Sequence, residues 1–404
     1  VTAELDRFAD ARSVADAVLY EGYVLYPYRA SARKNQMRWQ FGVVVPPEVA
    51  AADPNERSAL RTTCLVEVGE GASPRLTVRV RCLQVQQRRI ERARHDLGVA
   101  GTVTTFEPAE RVDVDSRVWV PWDEAVEHEV EATDVDLRAL VGAPDHEVPF
   151  RLAPGDDVEL LRDAAGTTVG RAVRRRRAVK GLTRIGVASA RAGGDGRRGL
   201  LEVTVTVENT TGWHGLGATR DDVVRRSLIA VHTLLAVDDG AFVSLLDPPD
   251  DARDAAAACR SDGTFPVLVG GNGRSDVVLS SPIILYDNPA IAPESQGDLY
   301  DATEIDEILA LQVPTLTDDE KAEARATDAR AAAVIERCDA MSPRALAQLH
   351  GAIRPARPAP GPGPATAAAG PGPVSAVGPP PPPGVEPTDR PGPSGGGAGP
   401  PGPG

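Results

Sequence analysis

The sequence predicts a β-rich α+β fold: an antiparallel strand core, a short C-terminal helical appendage and a disordered Pro/Gly tail. Three observations predict it. Short runs that alternate apolar with polar side chains recur through the first three-quarters of the chain. Two capping boxes, at 301–304 and 317–320, announce a helical end-piece. Residues 355–404 hold 18 prolines and 13 glycines, a composition that buries too little apolar surface to offset its ordering entropy.

Element by element, residues 10–20 read as a helix with Val14, Ala17 and Val18 on one face. Strands are expected over 39–45 and 62–68. Over 75–87, Leu76, Val78, Val80 and Cys82 alternate with Thr77, Arg79 and Arg81, and 69–74 reads as the hairpin loop before that run. Further strands fall at 116–120, 127–132, 147–152, 158–161, 167–173, 182–188 and 200–208. In the last, Leu201, Val203, Val205 and Val207 share a face. Residues 221–235 break the pattern, with Val224, Leu228, Val231 and Leu235 at helical spacing. Strands 267–269 and 277–285 follow, joined by a Gly270-Gly-Asn-Gly273 hairpin turn.

Capping boxes at 301–304 and 317–320 open the helical end-piece. Asp328 caps the next helix, and Ser342-Pro343 puts proline at a first helical position. The expected organisation is an N-terminal β-rich segment 1–145, a second β-rich segment 146–313 with one helix, the helical appendage 314–354 and the tail 355–404. The proline run 379–383 favours polyproline II. It reads as a solvated spacer or as a ligand for a proline-binding partner.

Composition narrows the class. The 404 residues carry a net charge of −14 and only 4% aromatics, so aliphatic side chains must supply most of the packing. Such acidity argues against non-specific nucleic-acid binding. No apolar run approaches the roughly 20 residues that span a bilayer. Residues 1–10 lack the basic-then-apolar pattern of a secretion signal, and four dispersed cysteines suit a reducing compartment, so a cytoplasmic protein is expected.

Four of the six tyrosines fall between residues 20 and 28. Tyrosine beside arginine is the composition of a binding hot spot, which makes Tyr20, Tyr23, Tyr26, Tyr28, Arg29 and Trp39 the candidate partner-docking surface. The competing reading is that these rings supply core bulk to an aromatic-poor chain. A basic island over 171–198 fits internal pairing with the acidic stretch 113–147 or a charged strand edge, with an acidic protein partner as the second reading and nucleic acid as the third. Gly212-Trp-His-Gly-Leu-Gly217 follows a strand but is not a dinucleotide motif, and Asp221 and Asp222 would repel an anion there; it reads as a turn. The six histidines are scattered and no Cys-x-x-Cys pair occurs, so no catalytic, metal or cofactor residue is assigned.

The block Tyr20-Glu-Gly-Tyr-Val-Leu-Tyr-Pro-Tyr-Arg through Gln36, then Trp39-Gln-Phe-Gly42, resembles a group of actinobacterial proteins encoded near uptake NiFe-hydrogenase genes. Residues 281–287 and 299–309 resemble the same group. The resemblance covers roughly residues 10–340 and implies a gene neighbourhood, with hydrogenase subunits or their maturation factors as the partner; it carries no activity. The function expected is a non-catalytic accessory or assembly protein. Two alternatives stand beside it: an enzyme with a pocket near Trp213, His214 and Tyr286, and a scaffold tethered through the tail.

Overall fold

The computed structural model describes residues 7–36, 38–98, 101–191, 198–215, 218–271, 273–290 and 306–341. The expected tail, the 301–304 capping box and the Ser342-Pro343 helix start lie outside the described residues.

Strands dominate, as the alternating pattern requires. The first eight are β1 (Ala59–Val68), β2 (Arg75–Gly98), β3 (Gly101–Pro108), β4 (Val112–Val114), β5 (Arg117–Trp119), β6 (Trp122–Asp136), β7 (His146–Leu152) and β8 (Gly155–Arg162). There follow β9 (Thr168–Arg176), β10 (Val179–Arg191), β11 (Gly199–Asn209), β12 (Ile229–Asp238), β13 (Ala241–Val243), β14 (Phe265–Leu268) and β15 (Val277–Ser281). The helices are α1 (Ala9–Tyr20), α2 (Arg33–Gln36), α3 (Pro47–Ala52), α4 (Leu137–Leu140), α5 (Arg220–Val224) and α6 (Arg253–Ala258). Near the C-terminal end come α7 (Asp306–Gln312), α8 (Asp318–Thr327) and α9 (Ala329–Asp339).

Two antiparallel sheets face each other. One runs β13-β1-β11-β10-β7 and the other β14-β15-β12-β2-β9-β8, with β6 and β3 on the far side of β2. Cys64, Val66, Val203 and Val205 from the first sheet meet Leu76, Val78, Val80 and Leu235 from the second in one apolar interior. β2 organises the larger sheet. Along one edge it pairs with β12 over Arg75–Leu83 and then with β9 over Gln86–Arg92; along the other it pairs with β6 and then β3.

Three local expectations are corrected. Residues 69–74 do not form a hairpin, because β1 and β2 belong to different sheets. Both strands aim their apolar face at the same interior, so they stack across the core instead of flanking each other. Residues 221–235 are not one helix: α5 stops at Val224, and β12 is buried along Ile229–Val237 on both faces. A strand covered on both sides loses its period-two signal, and the spacing of its aliphatic residues then imitates a helix. Residues 39–45 make only an isolated bridge, Val44 to Leu228, since Trp39 and Gly42 take positive φ of 70° and 54° and interrupt extension. At Gly42 a Cβ would lie 2.8 Å from the Val231 nitrogen, so only glycine allows this segment to lie against β12.

Helices cover the outer face of the larger sheet. Phe8, Val14 and Val18 at and within α1 pack on Leu234, Val267 and Leu279. Leu309, Val313, Val334 and Ile335 from the C-terminal helices pack with Tyr20, Tyr23, Leu83 and Val85. The 317–320 capping box forms, and Asp328 accepts the Arg330 N–H at 2.8 Å. Strands from both sides of residue 145 share both sheets, and the helices beyond residue 314 join the same core, so the described parts of segments 1–145, 146–313 and 314–354 lie in one compact unit. Among the described residues no helix is long and apolar enough to cross a membrane.

Candidate functional site

The Tyr-rich segment begins where α1 ends. Gly22, at φ +70°, turns the chain, and Asn35 then clamps the loop. Its amide donates to the carbonyls of Leu25 (2.8 Å) and Arg29 (2.9 Å) and accepts the Leu25 N–H at 2.7 Å. Tyr20, Tyr23, Tyr28 and Trp39 are all buried, at 7%, 1%, 0% and 8% exposure. Tyr23 packs edge-on against both Tyr20 and Trp39, with ring centroids 5.4 Å apart in each case. The Tyr20 hydroxyl donates to Glu127, and the Tyr23 hydroxyl donates to Asp328 at 2.8 Å. Burial, reinforced by those carboxylates, raises both phenols above their ordinary range.

The docking surface expected at Tyr20, Tyr23, Tyr26, Tyr28, Arg29 and Trp39 is therefore not a surface. Tyr26 and Arg29 alone are half-buried, and Arg29 is paired with Glu320 at 3.0 Å. In a chain with few aromatics, these rings fill the junction between α1, β6 and the C-terminal helices, and the carboxylates of Glu127 and Asp328 satisfy the Tyr20 and Tyr23 hydroxyls.

What the segment builds is a wall. Arg38 is buried beneath it, donating to the carbonyl of Tyr23 at 2.6 Å and to that of Asp123. Its guanidinium lies 3.4 Å from the Trp122 ring centre and 4.3 Å from that of Trp39. Burial lowers its pKa to about 10, which leaves it charged at neutral pH.

Outside this wall opens a cleft of about 620 Å³, bounded by Arg38, Arg88, Arg89, Asp123, Arg220 and Arg225 among others. Arg88 is committed to structure: it donates to the Val120, Ala326 and Thr327 carbonyls and pairs with Glu124 at 2.9 Å. Arg225 reaches both oxygens of Asp123, at 3.0 and 3.3 Å, and Arg220 pairs with Glu56. Burial pushes the Asp123 carboxyl upward while Arg225 pulls it back.

Two further recesses adjoin. One, about 440 Å³, shares Gln87 and Arg225 with the cleft and adds Arg177, Trp213, His214 and Arg226. The other, about 500 Å³, shares Arg38, Trp39 and Gln40 and is mainly apolar, with Gly22, Leu25 and Phe41 under a rim of Arg33 and Lys34. The pocket expected near Trp213, His214 and Tyr286 is only partly assembled: Tyr286 does not line that recess and is 84% exposed.

Much of the basic island is paired. Arg171 meets Glu91 at 2.6 Å, Arg174 meets Glu124 at 3.0 Å and Arg175 meets Asp156 at 2.7 Å, so only part of the pairing goes to the acidic stretch 113–147. Among the described residues no group of three or more His, Cys, Asp or Glu side chains could hold a metal ion. Burial pushes the Cys82 thiol up to about 12 and the half-buried Cys259 thiol to about 11.

Sequence reasoning missed Arg88, Arg89, Trp122, Arg220 and Arg225. The arginines among them left a faint signal, standing inside or beside apolar elements, as in Gln86-Gln-Arg-Arg-Ile90. No protein-family model, curated protein or solved structure matches the chain.

Proposed function

We propose that the chain is an accessory protein that binds a protein partner, and that the partner docks across the three adjoining recesses instead of on the tyrosines beneath them. One observation carries this reading. An apolar recess at Leu25 and Phe41 runs through shared wall residues into a cleft and then a recess rich in guanidinium groups. Protein interfaces divide their labour in that way, with apolar anchors supplying affinity and charged groups fixing orientation. The resemblance of the Tyr20–Gln36 block favours hydrogenase subunits or their maturation factors as that partner.

Affinity capture of the tagged protein from its native host, grown on hydrogen, tests the reading. Stoichiometric recovery of hydrogenase components is expected. Leu25→Asp, at a half-buried position in the apolar recess, should abolish recovery while leaving the thermal midpoint within a few degrees of wild type. Recovery of the protein alone, or undiminished capture by a folded Leu25→Asp variant, would overturn it.

A further inference from the structure

We infer that the cationic end of this surface takes an acidic peptide segment, held through carboxylate–guanidinium pairs at Arg89, Arg177 and Arg226. The inference rests on the docking reading above and names the chemistry of the occupant.

The first argument is uncommitted charge. Arg89 and Arg177 are exposed and Arg226 is half-buried, and none of the three forms a salt bridge among the described residues, although Arg177 is near enough to Asp222 to help lower its carboxyl pKa. The Arg226 guanidinium lies 5.9 Å from the Trp213 ring centre. In a chain of net charge −14, acids are plentiful, and the neighbouring Arg88, Arg174 and Arg175 have all found one. Lining residues of the two cationic recesses include seven arginines against four carboxylates, which reverses the sign of the molecule at this place.

The second argument is spacing. β2 and β9 pair with Arg89 opposite Val173, and Arg177 stands four residues beyond Val173, just past the end of the ladder at Arg176. At about 3.3 Å per residue the two roots can stand up to about 13 Å apart along the strand direction. Gln87 lines both recesses. One carboxylate cannot bridge that distance. A segment with several acids in extended form can, as in the recognition of acidic motifs by arginine clusters.

The third argument separates a peptide from a nucleic acid. Trp39 and Trp122 are buried at 8% and 6% exposure and Arg38 covers their faces, so they offer no open stacking platform. Glu56, Asp123, Asp221 and Asp222 are interleaved with the arginines and would repel a continuous phosphate backbone, whereas discrete side-chain carboxylates can settle between them.

The test uses the full chain and a fluorescein-labelled hexaglutamate peptide, followed by anisotropy at low ionic strength. Saturable binding that weakens with added salt is expected. Arg89→Glu and Arg177→Glu should each weaken it by about tenfold. Arg151→Glu makes the same charge change at an exposed residue of the edge strand β7 and should leave affinity within about twofold, the ordinary reach of a remote charge. Equal losses in all three variants would reduce the effect to net charge and overturn the inference. So would an absence of hexaglutamate binding, or an oligothymidylate of twelve nucleotides that binds more tightly than the peptide. Leu25→Asp separates the two proposals. If the variant keeps hexaglutamate affinity while losing its partner, both stand. In the wild-type chain, peptide binding with no partner captured sinks the docking reading alone, and capture without peptide binding sinks the acidic ligand alone.

Discussion

Arg38 keeps its charge inside the protein because two backbone carbonyls and two indole rings replace the water it lost. Arg38→Met would leave those carbonyls unsatisfied and should cost about 2–4 kcal/mol of unfolding free energy, read from the urea midpoint. Arg38→Lys should recover little of this, since an ammonium cannot span both carbonyls while lying flat on Trp122. A wild-type midpoint for either variant would contradict the arrangement. His232 is the opposite case, a buried group that stays neutral. Its Nδ1–H donates to the Ala230 carbonyl at 2.9 Å, and Nε2 has no hydrogen-bond partner among the described residues. Burial, helped by Arg81 and opposed by the Ala230 bond and Asp16, lowers its pKa from 6.5 to about 4. Between those values the unfolded chain binds a proton that the folded chain refuses, so His232 costs nothing near neutral pH and its penalty grows as the medium is acidified. Stability should fall by about 3 kcal/mol from this residue across that window. Titrating the unfolding midpoint of wild type against His232→Gln checks it: the variant's profile should be the flatter over pH 6.5 to 4.

At the scale of elements, legibility tracked exposure. β11 and the first half of β2 have one face on the core, and their alternation announced them. The caps of α8 and α9 were equally plain, because a cap is a local interaction between near neighbours. β12 was hidden because it is buried on both faces, and β3 because its outward residues carry no apolar stripe. The tyrosines were visible as a cluster but their direction was not: whether a ring at Tyr23 points to solvent depends on α9, more than 300 residues away, where Asp328 waits for its hydroxyl. The cleft was least legible of all. Its walls come from separate stretches around residues 38, 56, 88, 122 and 225, and only folding brings them together.

At the scale of the molecule, the interlocking of the two sheets makes division of the described chain costly. β1 draws its partner β11, and β2 its partner β12, from beyond residue 145. Residues 7–341 should therefore unfold in one cooperative step, with circular dichroism and tryptophan fluorescence giving coincident urea transitions. A fragment ending at residue 145 should lack dispersed amide resonances, and a well-folded one would contradict the shared-sheet architecture. The same connectivity bears on the cationic recess through a small feature of β2. Where this strand leaves β12 at Leu83 and takes up β9 at Gln86, its ladder lapses, and the buried Gln84 amide closes the gap by donating to the carbonyls of Ala153 (3.1 Å) and Arg177 (2.7 Å). The backbone beneath the Arg177 guanidinium is thus already fixed before any ligand arrives. A ligand meeting it has only a side chain to immobilise, at about 0.5–1.5 kcal/mol, and no loop to order. Contact there should accordingly be limited by encounter, with a fast on-rate that ionic strength controls.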